Sequence, residues 1–484
     1  MPLHSTRQTA LHRGSPPVPA PAVRVQRPAA RSANIFAPCG QNAYVRGSRV
    51  PSAASSGAGA GEHKIDVCGL GNLCVDAVLP LPELPPPDRE LRRQLLDTLT
   101  ASPPPRSSWE VGGNCNFMVA ASRLGLATAS VGHIGTDIYG GFMDEVLREE
   151  GVQATTRIAP TTSTSTSTTS SSSSSSTTTT NGKANGNGNG SAPAIGGGSL
   201  DSTLICFVLV DPASRHAFCS RYDFGPWPLL DGISALPERA QAVLRSSRAI
   251  FTNGFIFDEL PLQAVQACVL DAISQGAAIF FDPGPRCQTM LEGPRRAALD
   301  LLLDLSCVVL MTEEEAHVVT GLQDAEEAAK WVLARPNARA QWVVVKMGAK
   351  GAVLCTRGAP GSQPGQAAGA STTYMGAVKV EVVDTVGCGD SFAAAIVMGF
   401  INGWAPDVTL ALANAVGGAT AMGRGAGRNV ARPETVLRLL GEGAAGGVSV
   451  EQRAAFARAK GLLQQQLAKA QGRGLGQGQL SAAA

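Results

Sequence analysis

The sequence predicts an α/β protein of three layers, with a mainly parallel central sheet between two layers of helices and a small β lid beside it. Two observations carry this. Short apolar runs rich in β-branched residues, at 65–67, 249–252, 278–281, 308–311 and 342–345, are separated by helix-length amphipathic stretches. Strands that are continuously apolar, rather than alternating, belong to a sheet covered on both faces. The run at 203–210, the turn Asp211-Pro-Ala-Ser-Arg-His216 and the run at 217–222 read instead as a hairpin, the β excursion from which a lid is built.

Taken in chain order, residues 1–61 contain no Asp or Glu but carry Arg7, Arg13, Arg24, Arg27, Arg31, Arg46 and Arg49 among Ala, Ser and Pro. An Arg-rich, hydroxyl-rich, acid-free segment without a continuous apolar stretch has the composition of an organellar transit peptide rather than a secretory signal. We therefore expect residues 1–62 to be a transit peptide, unstructured in itself, addressed to the chloroplast, with the mitochondrion as the alternative. Residues 63–440 are expected to form the single folded domain, with lid segments at about 77–111 and 203–224. Every residue from 161 to 180 is Ser or Thr, and the Asn/Gly-rich stretch that follows extends this bias towards 200. Such a segment cannot bury enough apolar surface to offset its ordering entropy, so a disordered insert is expected at about 155–200. Beyond Gly441, the pattern Ser449-Val-Glu-Gln452 caps a helix expected to run to about Ala470 in a peripheral tail.

The chain has 484 residues, 16% of them charged, and a net charge of +2. This balance excludes nucleic-acid or membrane-surface binding driven by bulk charge. No apolar run reaches the ~18 residues of a membrane span. The eleven cysteines include no Cys-x-x-Cys pair, which argues against a zinc module or disulfide framework and fits a reducing compartment. Small-molecule partners are expected.

The run Val383-Asp-Thr-Val-Gly-Cys-Gly-Asp390, followed by the apolar stretch 391–400, carries the chemistry. A glycine turn opening into a helix leaves free backbone N–H groups at the positive end of the helix dipole, an anion hole. A carboxylate at the same mouth, Asp390, can take a proton from a substrate hydroxyl while those amides hold a phosphoryl group in transfer. The same residue could serve only as a helix cap. Other motifs are discounted: Gly69-Leu-Gly71 lacks the third glycine of a dinucleotide fingerprint, no P-loop occurs, and Glu313 to His317 is not a zinc-protease pair. His133 and His317 read as packing or surface residues.

The sequence Asp-Thr-Val-Gly-Cys-Gly-Asp resembles the C-terminal signature of the PfkB, or ribokinase-like, family of carbohydrate and nucleoside kinases. Gly112-Gly113-Asn-Cys-Asn116 through Arg123-Leu-Gly125, with Val131-Gly-His-Ile-Gly135-Thr-Asp137-Ile-Tyr-Gly140, resembles its N-terminal signature. The resemblance spans about Lys64 to Leu440 and implies the ribokinase-like α/β/α sandwich and an ATP-dependent kinase. It implies Asp390 as general base, with Gly387, Cys388 and Gly389 forming the anion hole. It implies Asp76, Gly112, Gly113, Asn116 and Asp384 as substrate-binding residues, although Gly112-Gly113 to Asn116 is one residue shorter than the common spacing. For the nucleotide it implies Thr312, Glu315, Lys346, Gly348, Gly351, Thr385, Asn414 and Gly418. Cys388 stands for the usual alanine, Thr312 for an asparagine and Lys346 for a threonine. Glu315 is the expected Mg²⁺ residue, acting through water. ATP and Mg²⁺ are the implied cofactors, with a monovalent cation such as K⁺ a further candidate, and a homodimer is a candidate assembly. The acceptor that the resemblance implies is a hydroxyl of a fructose- or ribose-like sugar or sugar-like molecule. A nucleoside acceptor, or a catalytically weak kinase-like scaffold subunit in an organelle, remain the alternatives.

Overall fold

Each of the five apolar runs becomes a strand, and the computed structural model, which describes residues 65–158, 202–213, 215–357, 369–446 and 449–473, joins them in one sheet. In chain order the strands are β1 (Ile65–Leu70), β2 (Leu73–Pro80), β3 (Trp109–Gly113), β4 (Thr128–Gly132), β5 (Ala154–Arg157), β6 (Leu204–Val210), β7 (His216–Ser220), β8 (Ser247–Asn253), β9 (Ala278–Asp282), β10 (Val308–Thr312), β11 (Trp342–Lys346), β12 (Ala352–Thr356) and β13 (Ser371–Met375). Nine form the central sheet in the order β13-β12-β11-β10-β9-β8-β1-β4-β5. The strands from β11 across to β5 are parallel, and β12 and β13 add an antiparallel edge.

The continuous apolarity of the central strands has a direct cause. Val308 and Leu310 of β10 face one core cluster, which includes Ile396 and Met398 of the Cys388–Ile401 helix. Their neighbours Val309 and Met311 face a second cluster with Leu299 and Leu302 of the Gly293–Leu305 helix. Burial on both faces demands apolar residues at odd and even positions alike. The strands not evident from the sequence carry weaker signals: β4 contains Thr128, Ser130 and Gly132, and the edge strand β13 reads Ser-Thr-Thr-Tyr-Met.

A second sheet, in the order β3-β2-β6-β7, corresponds to the expected β excursion. Here β6 and β7 form the predicted hairpin, while β2 pairs parallel with β6 and antiparallel with β3. The chain passes from β1 into this sheet through Gly71 (φ 77°) and Asn72 (φ 51°), two consecutive left-handed residues that turn it sharply out of the central sheet. The second strand of the hairpin ends at Ser220 rather than 222, because Ser220 and Asp223 form a capping box around the turn Arg221–Asp223. Asp223 also receives Arg286 at 3.1 Å and Arg92 at 3.5 Å, which fastens the end of the hairpin to the main body and to the helix Arg89–Ala101.

Two expectations are corrected in detail. Strand β5 occupies 154–157, where the insert was expected to have begun. Ser449 does cap a helix, Val450–Gly472, its hydroxyl accepting from Gln452 N–H, but this helix is not peripheral. It buries Phe456, Leu463 and Ala470, packs on the helices Pro406–Ala421 and Pro433–Ala445, and Gln466 donates to Gly125 O at 2.9 Å. Its apolar face looked weak because alanines supply much of the contact. The expected transit peptide and the Ser/Thr run lie outside the described residues.

The helices Cys388–Ile401 and Pro406–Ala421 approach closely at Gly399, where an added methyl would collide with Thr409. We therefore expect Gly399→Ala to lower stability by about 1–3 kcal/mol through overpacking. Gly461→Ala, at a helical position with nothing within 4 Å of the new methyl, should raise it by up to about 1 kcal/mol. Thermal or urea denaturation of both variants checks the pair, and equal destabilisation would contradict this packing.

Candidate active site

In a parallel sheet every strand ends on the same side, and here those ends meet the second sheet around a cavity of about 350 Å³. Strand β9 brings Asp282, β10 brings Thr312, β11 brings Lys346 and the second sheet brings Asp76, Cys206, Phe218 and Ser220. The helix Asn114–Arg123 brings Asn116, and the turn into Cys388–Ile401 brings Gly387, Gly389 and Asp390. A larger cavity, about 580 Å³, is lined by Ile205 and Phe207, which alternate along β6 with Cys206 of the first. It contains none of the predicted site residues, so the chemistry belongs to the smaller one.

The turn has the form read from the sequence. Gly387 is left-handed (φ 77°) and precedes the first helical residue, Cys388. The first N–H groups of a helix have no acceptor within it. The Cys388 amide is taken by Thr385 O at 3.2 Å, while Gly389 and Asp390, the next two residues of the first turn, line the cavity. Asp390 Oδ2 accepts from Asn116 Nδ2 at 3.1 Å, and among the described residues no donor occupies its other oxygen. Asn116 is itself fixed, its carbonyl oxygen accepting from Gly427 N–H at 2.8 Å. Burial pushes the Asp390 carboxyl up to about 6, against the stabilising Asn116 bond; Asp282 adds to the rise and Lys346 opposes it.

Asp76 lies across the cavity on β2, only 6% exposed. Burial raises its carboxyl to about 7, partly offset by the Cys74 thiol, which donates to Oδ1 at 3.4 Å; Asp390 and Glu110 add like-charge repulsion. The carboxylate lies directly over Gly112, where any side chain would displace it. Gly112 therefore shapes the site from beneath rather than lining it, and Gly113 (φ 60°) turns the chain into the Asn116 helix.

Thr312 and Glu315 form a capping box for the helix Glu313–Thr320: Glu315 Oε2 accepts from Thr312 N–H at 2.8 Å, and Thr312 Oγ1 accepts from Glu315 N–H at 3.2 Å. Glu315 remains on the cavity wall, its carboxyl raised by burial and by Asp282. Lys346 Nζ donates to Asp282 Oδ2 at 2.6 Å.

Other expected residues stand apart from the cavity. Both oxygens of Asp384 are occupied, by Val386 N–H at 2.9 Å and Gly425 N–H at 2.7 Å, and His216 Nε2 of β7 lies 3.3 Å from Oδ1. Asp384 thus builds the turn and is corrected from a substrate ligand to a scaffold residue. The Cys388 thiol points to Asp384 O at 3.9 Å, away from the cavity, so only its backbone serves the turn. Asn414 Nδ2 donates to Met375 O and Gly376 O at 2.9 and 3.0 Å, tying its helix to β13. Gly418 packs beside Val380 and Leu439; Gly348 and Gly351 lie in the β11–β12 turn, and Thr385 is exposed. Asp282 was missed by the sequence reading. It ends a predicted strand, but nothing near it in the chain marks it as a site residue, since its partner Lys346 lies 64 residues on.

Comparison with known proteins agrees with the fold. The model of the pfkB family of carbohydrate kinases matches residues 101–193 and 232–432. A 5-dehydro-2-deoxygluconokinase of Geobacillus thermodenitrificans is 21% identical over 355 residues, covering 71% of this chain and 83% of that protein. A ribokinase of Haemophilus influenzae is 20% identical over 376 residues, covering 77% and 97%. Among solved structures, a putative ribokinase II from E. coli in complex with ATP and Mg²⁺ superposes with a TM-score of 0.55 at 17% identity, over 78% of this chain and 99% of that one. Arabidopsis thaliana ribokinase complexed with ribose and ATP gives 0.51 at 16% identity, over 78% and 98%.

Asp76 also yields a stability prediction. The native carboxyl keeps its proton up to about pH 7, whereas the ordinary group releases it near 3.8. Over that interval the native state binds more protons than the unfolded one, so this residue's contribution to stability falls as pH rises. Asp76→Asn should accordingly be more stable than the ligand-free wild type above pH 7 and nearly equal to it below pH 4. The difference is on the order of 1.4 kcal/mol for each unit by which the native pKa is raised. Melting curves across pH 4 to 8 measure it, and a difference independent of pH would refute the burial argument.

Proposed function

Because the chain belongs to the pfkB family of carbohydrate kinases, we propose that it transfers the γ-phosphoryl group of ATP to a hydroxyl of a fructose- or ribose-like sugar, with Asp390 as the general base. One observation carries the reading: a carboxylate raised to about 6 stands in the first turn of a helix whose N-terminal residues Gly387, Gly389 and Asp390 line the same cavity.

The acceptor hydroxyl would lie between Asp76 and Asp390. Asn72, Asn253 and Ser220 line the same cavity and suit the remaining hydroxyls of a polyol. Asp390, oriented by Asn116, accepts the hydroxyl proton as the acceptor oxygen bonds to phosphorus. The Gly389 and Asp390 amides hold the equatorial oxygens while the bond to the departing ADP oxygen breaks. Among the described residues no three groups converge on a single metal position. Mg²⁺ would therefore be held jointly by phosphate oxygens, water and Glu315, where it would neutralise phosphate charge. Gly348, Gly351, Asn414 and Gly418 support a nucleotide site beside the β11–β12 turn by holding its walls rather than by entering the cavity. The second sheet is well placed to act as a lid that excludes water as the competing acceptor.

ADP formation from ATP should therefore depend on a sugar acceptor when pentoses, hexoses and nucleosides are screened. With the best acceptor, Asp390→Asn should lower kcat by about 10²- to 10⁴-fold while leaving nucleotide affinity within a few-fold. In the wild type, kcat/KM should fall as pH drops through about 6, as the base is protonated, and this limb should vanish in the variant. Full turnover by Asp390→Asn would overturn the catalytic reading, and turnover with nucleosides alone would move the acceptor class.

The Arg-rich segment 1–62, free of Asp and Glu as far as residue 61, supports a chloroplast address for this kinase. A fluorescent fusion of the whole chain should enter the chloroplast, and one lacking residues 1–62 should stay in the cytosol; mitochondrial import of the whole chain would reassign the organelle.

A further inference from the structure

We propose that Lys346 is a catalytic residue of the phosphoryl transfer, its ammonium passing from Asp282 to the γ-phosphoryl oxygens at the helix N-terminus, and that Asp282 is the positioning residue that aims it. This rests on the kinase reading above and adds to it a charge that the glycine turn alone does not supply.

The geometry begins with the sheet. Lys346 ends β11 and Asp282 ends β9, on either side of β10, so both side chains rise from the strand ends into the cavity. The ammonium Nζ lies 2.6 Å from Asp282 Oδ2. It also lies 3.4 Å from the point where a side-chain carbon on Gly389 would sit. It therefore borders both its carboxylate partner and the backbone that forms the anion hole. Absence of a side chain at Gly389 leaves this approach open. The two side chains are 12% and 10% exposed, and both line the cavity rather than being sealed in the core.

Charge completes the case. Asp76, Asp282, Glu315 and Asp390 line the cavity, and Lys346 is the one Lys or Arg among the described residues that does so. A triphosphate entering such a wall meets repulsion from every ionised carboxylate, so the single cation on it is the group with most to gain by turning towards the phosphate. Burial disfavours the ammonium, but Asp282 and Glu315 together outweigh this and hold its proton above the ordinary lysine value. Lys346 thus remains charged throughout. As the acceptor oxygen bonds to phosphorus and the ADP oxygen departs, the hydroxyl proton goes to Asp390, and Lys346 donates hydrogen bonds without losing its own proton. Its displacement by about a hydrogen-bond length suffices, since the stem of a lysine has four rotatable carbons.

The test compares Lys346→Met, Asp282→Asn and the double variant in the full-length protein. Two readouts are taken: turnover of ATP with the best acceptor, and titration with ADP and with the non-hydrolysable β,γ-imido analogue of ATP in excess magnesium. Lys346→Met should lose about 10²- to 10³-fold in kcat. It should bind ADP within about threefold of wild type, while the preference for the triphosphate analogue over ADP falls tenfold or more. Asp282→Asn should cost less, and the double variant should lose no more than Lys346→Met alone, because the aspartate acts through the lysine. If Lys346→Met fails to fold around its unpaired carboxylate, the double variant supplies the same two readouts. An ion pair that is merely structural predicts the reverse, with turnover and melting temperature both restored in the double variant, and that result overturns the proposal. So does an unchanged triphosphate preference in Lys346→Met. If the wild type turns over no acceptor, the kinase reading fails, but the titrations still decide whether Lys346 reads the γ-phosphate.

Discussion

The amide of Asn116 joins three segments that are far apart in the chain. Its nitrogen donates to Asp390, 274 residues away, and its oxygen accepts from Gly427, 311 residues away. The loop that supplies Gly427 is held in turn by Arg428 on Glu110 of β3 and by Arg123, which donates to Val430 O and Arg428 O. The oxygen and one of the two hydrogens of the amide are committed before any ligand arrives. A carboxylate with one oxygen so engaged presents the other in a fixed direction, and this fixing distinguishes a poised base from an exposed acid. Asn116 was expected to touch the sugar; it lines the cavity, and its side chain holds Asp390, the proposed base.

Burial of several carboxylates around one small cavity is costly to the ligand-free protein. Asp76 and Asp390 accommodate it by holding their protons towards neutrality, and Asp282 does so by pairing with Lys346. The same desolvation that raises these groups strengthens every interaction with a transferring phosphoryl group. The stability given up at the site and the chemistry it supports thus share one cause. The opposite case is Asp258, fully buried outside the cavity, which is answered by two guanidiniums, Arg286 and Arg295, at 2.8 and 2.6 Å. There the charges are compensated within the protein, and no ligand is required.

Much of the fold was legible because two-sided burial leaves a plain trace in the sequence. Strands such as 308–311 have no polar position to blur them, whereas β13 and β4 mix Thr, Ser and Gly with apolar residues and give no comparable pattern. The Asp384 to Asp390 turn was legible because a left-handed glycine, free amides and a carboxylate must follow one another at fixed spacing. Asp282 was not, because a lone acid at a strand end has no local partner; its lysine comes 64 residues later. Nor could the sequence tell that Asp384, inside the most informative motif, spends both oxygens on backbone amides. Local pattern reveals which residues form a turn, and only tertiary contacts reveal which of them face the ligand.

His216 adds a last connection. It lies on β7 of the second sheet, yet its Nε2 is 3.3 Å from Asp384 Oδ1, and both side chains are nearly buried. Asp384 shapes the turn that presents the Gly389 and Asp390 amides, through its hold on Val386 N–H. The second sheet therefore touches the anion hole from behind as well as covering the cavity from above. At its other end, Arg92 and Arg286 converge on Asp223. A sheet fixed at one end by an ion network and at the other by the turn itself cannot shift without changing one of these contacts. Any displacement of the second sheet over an acceptor would therefore also be felt at the turn that carries the Gly389 and Asp390 amides, so covering the cavity and shaping the turn are mechanically linked.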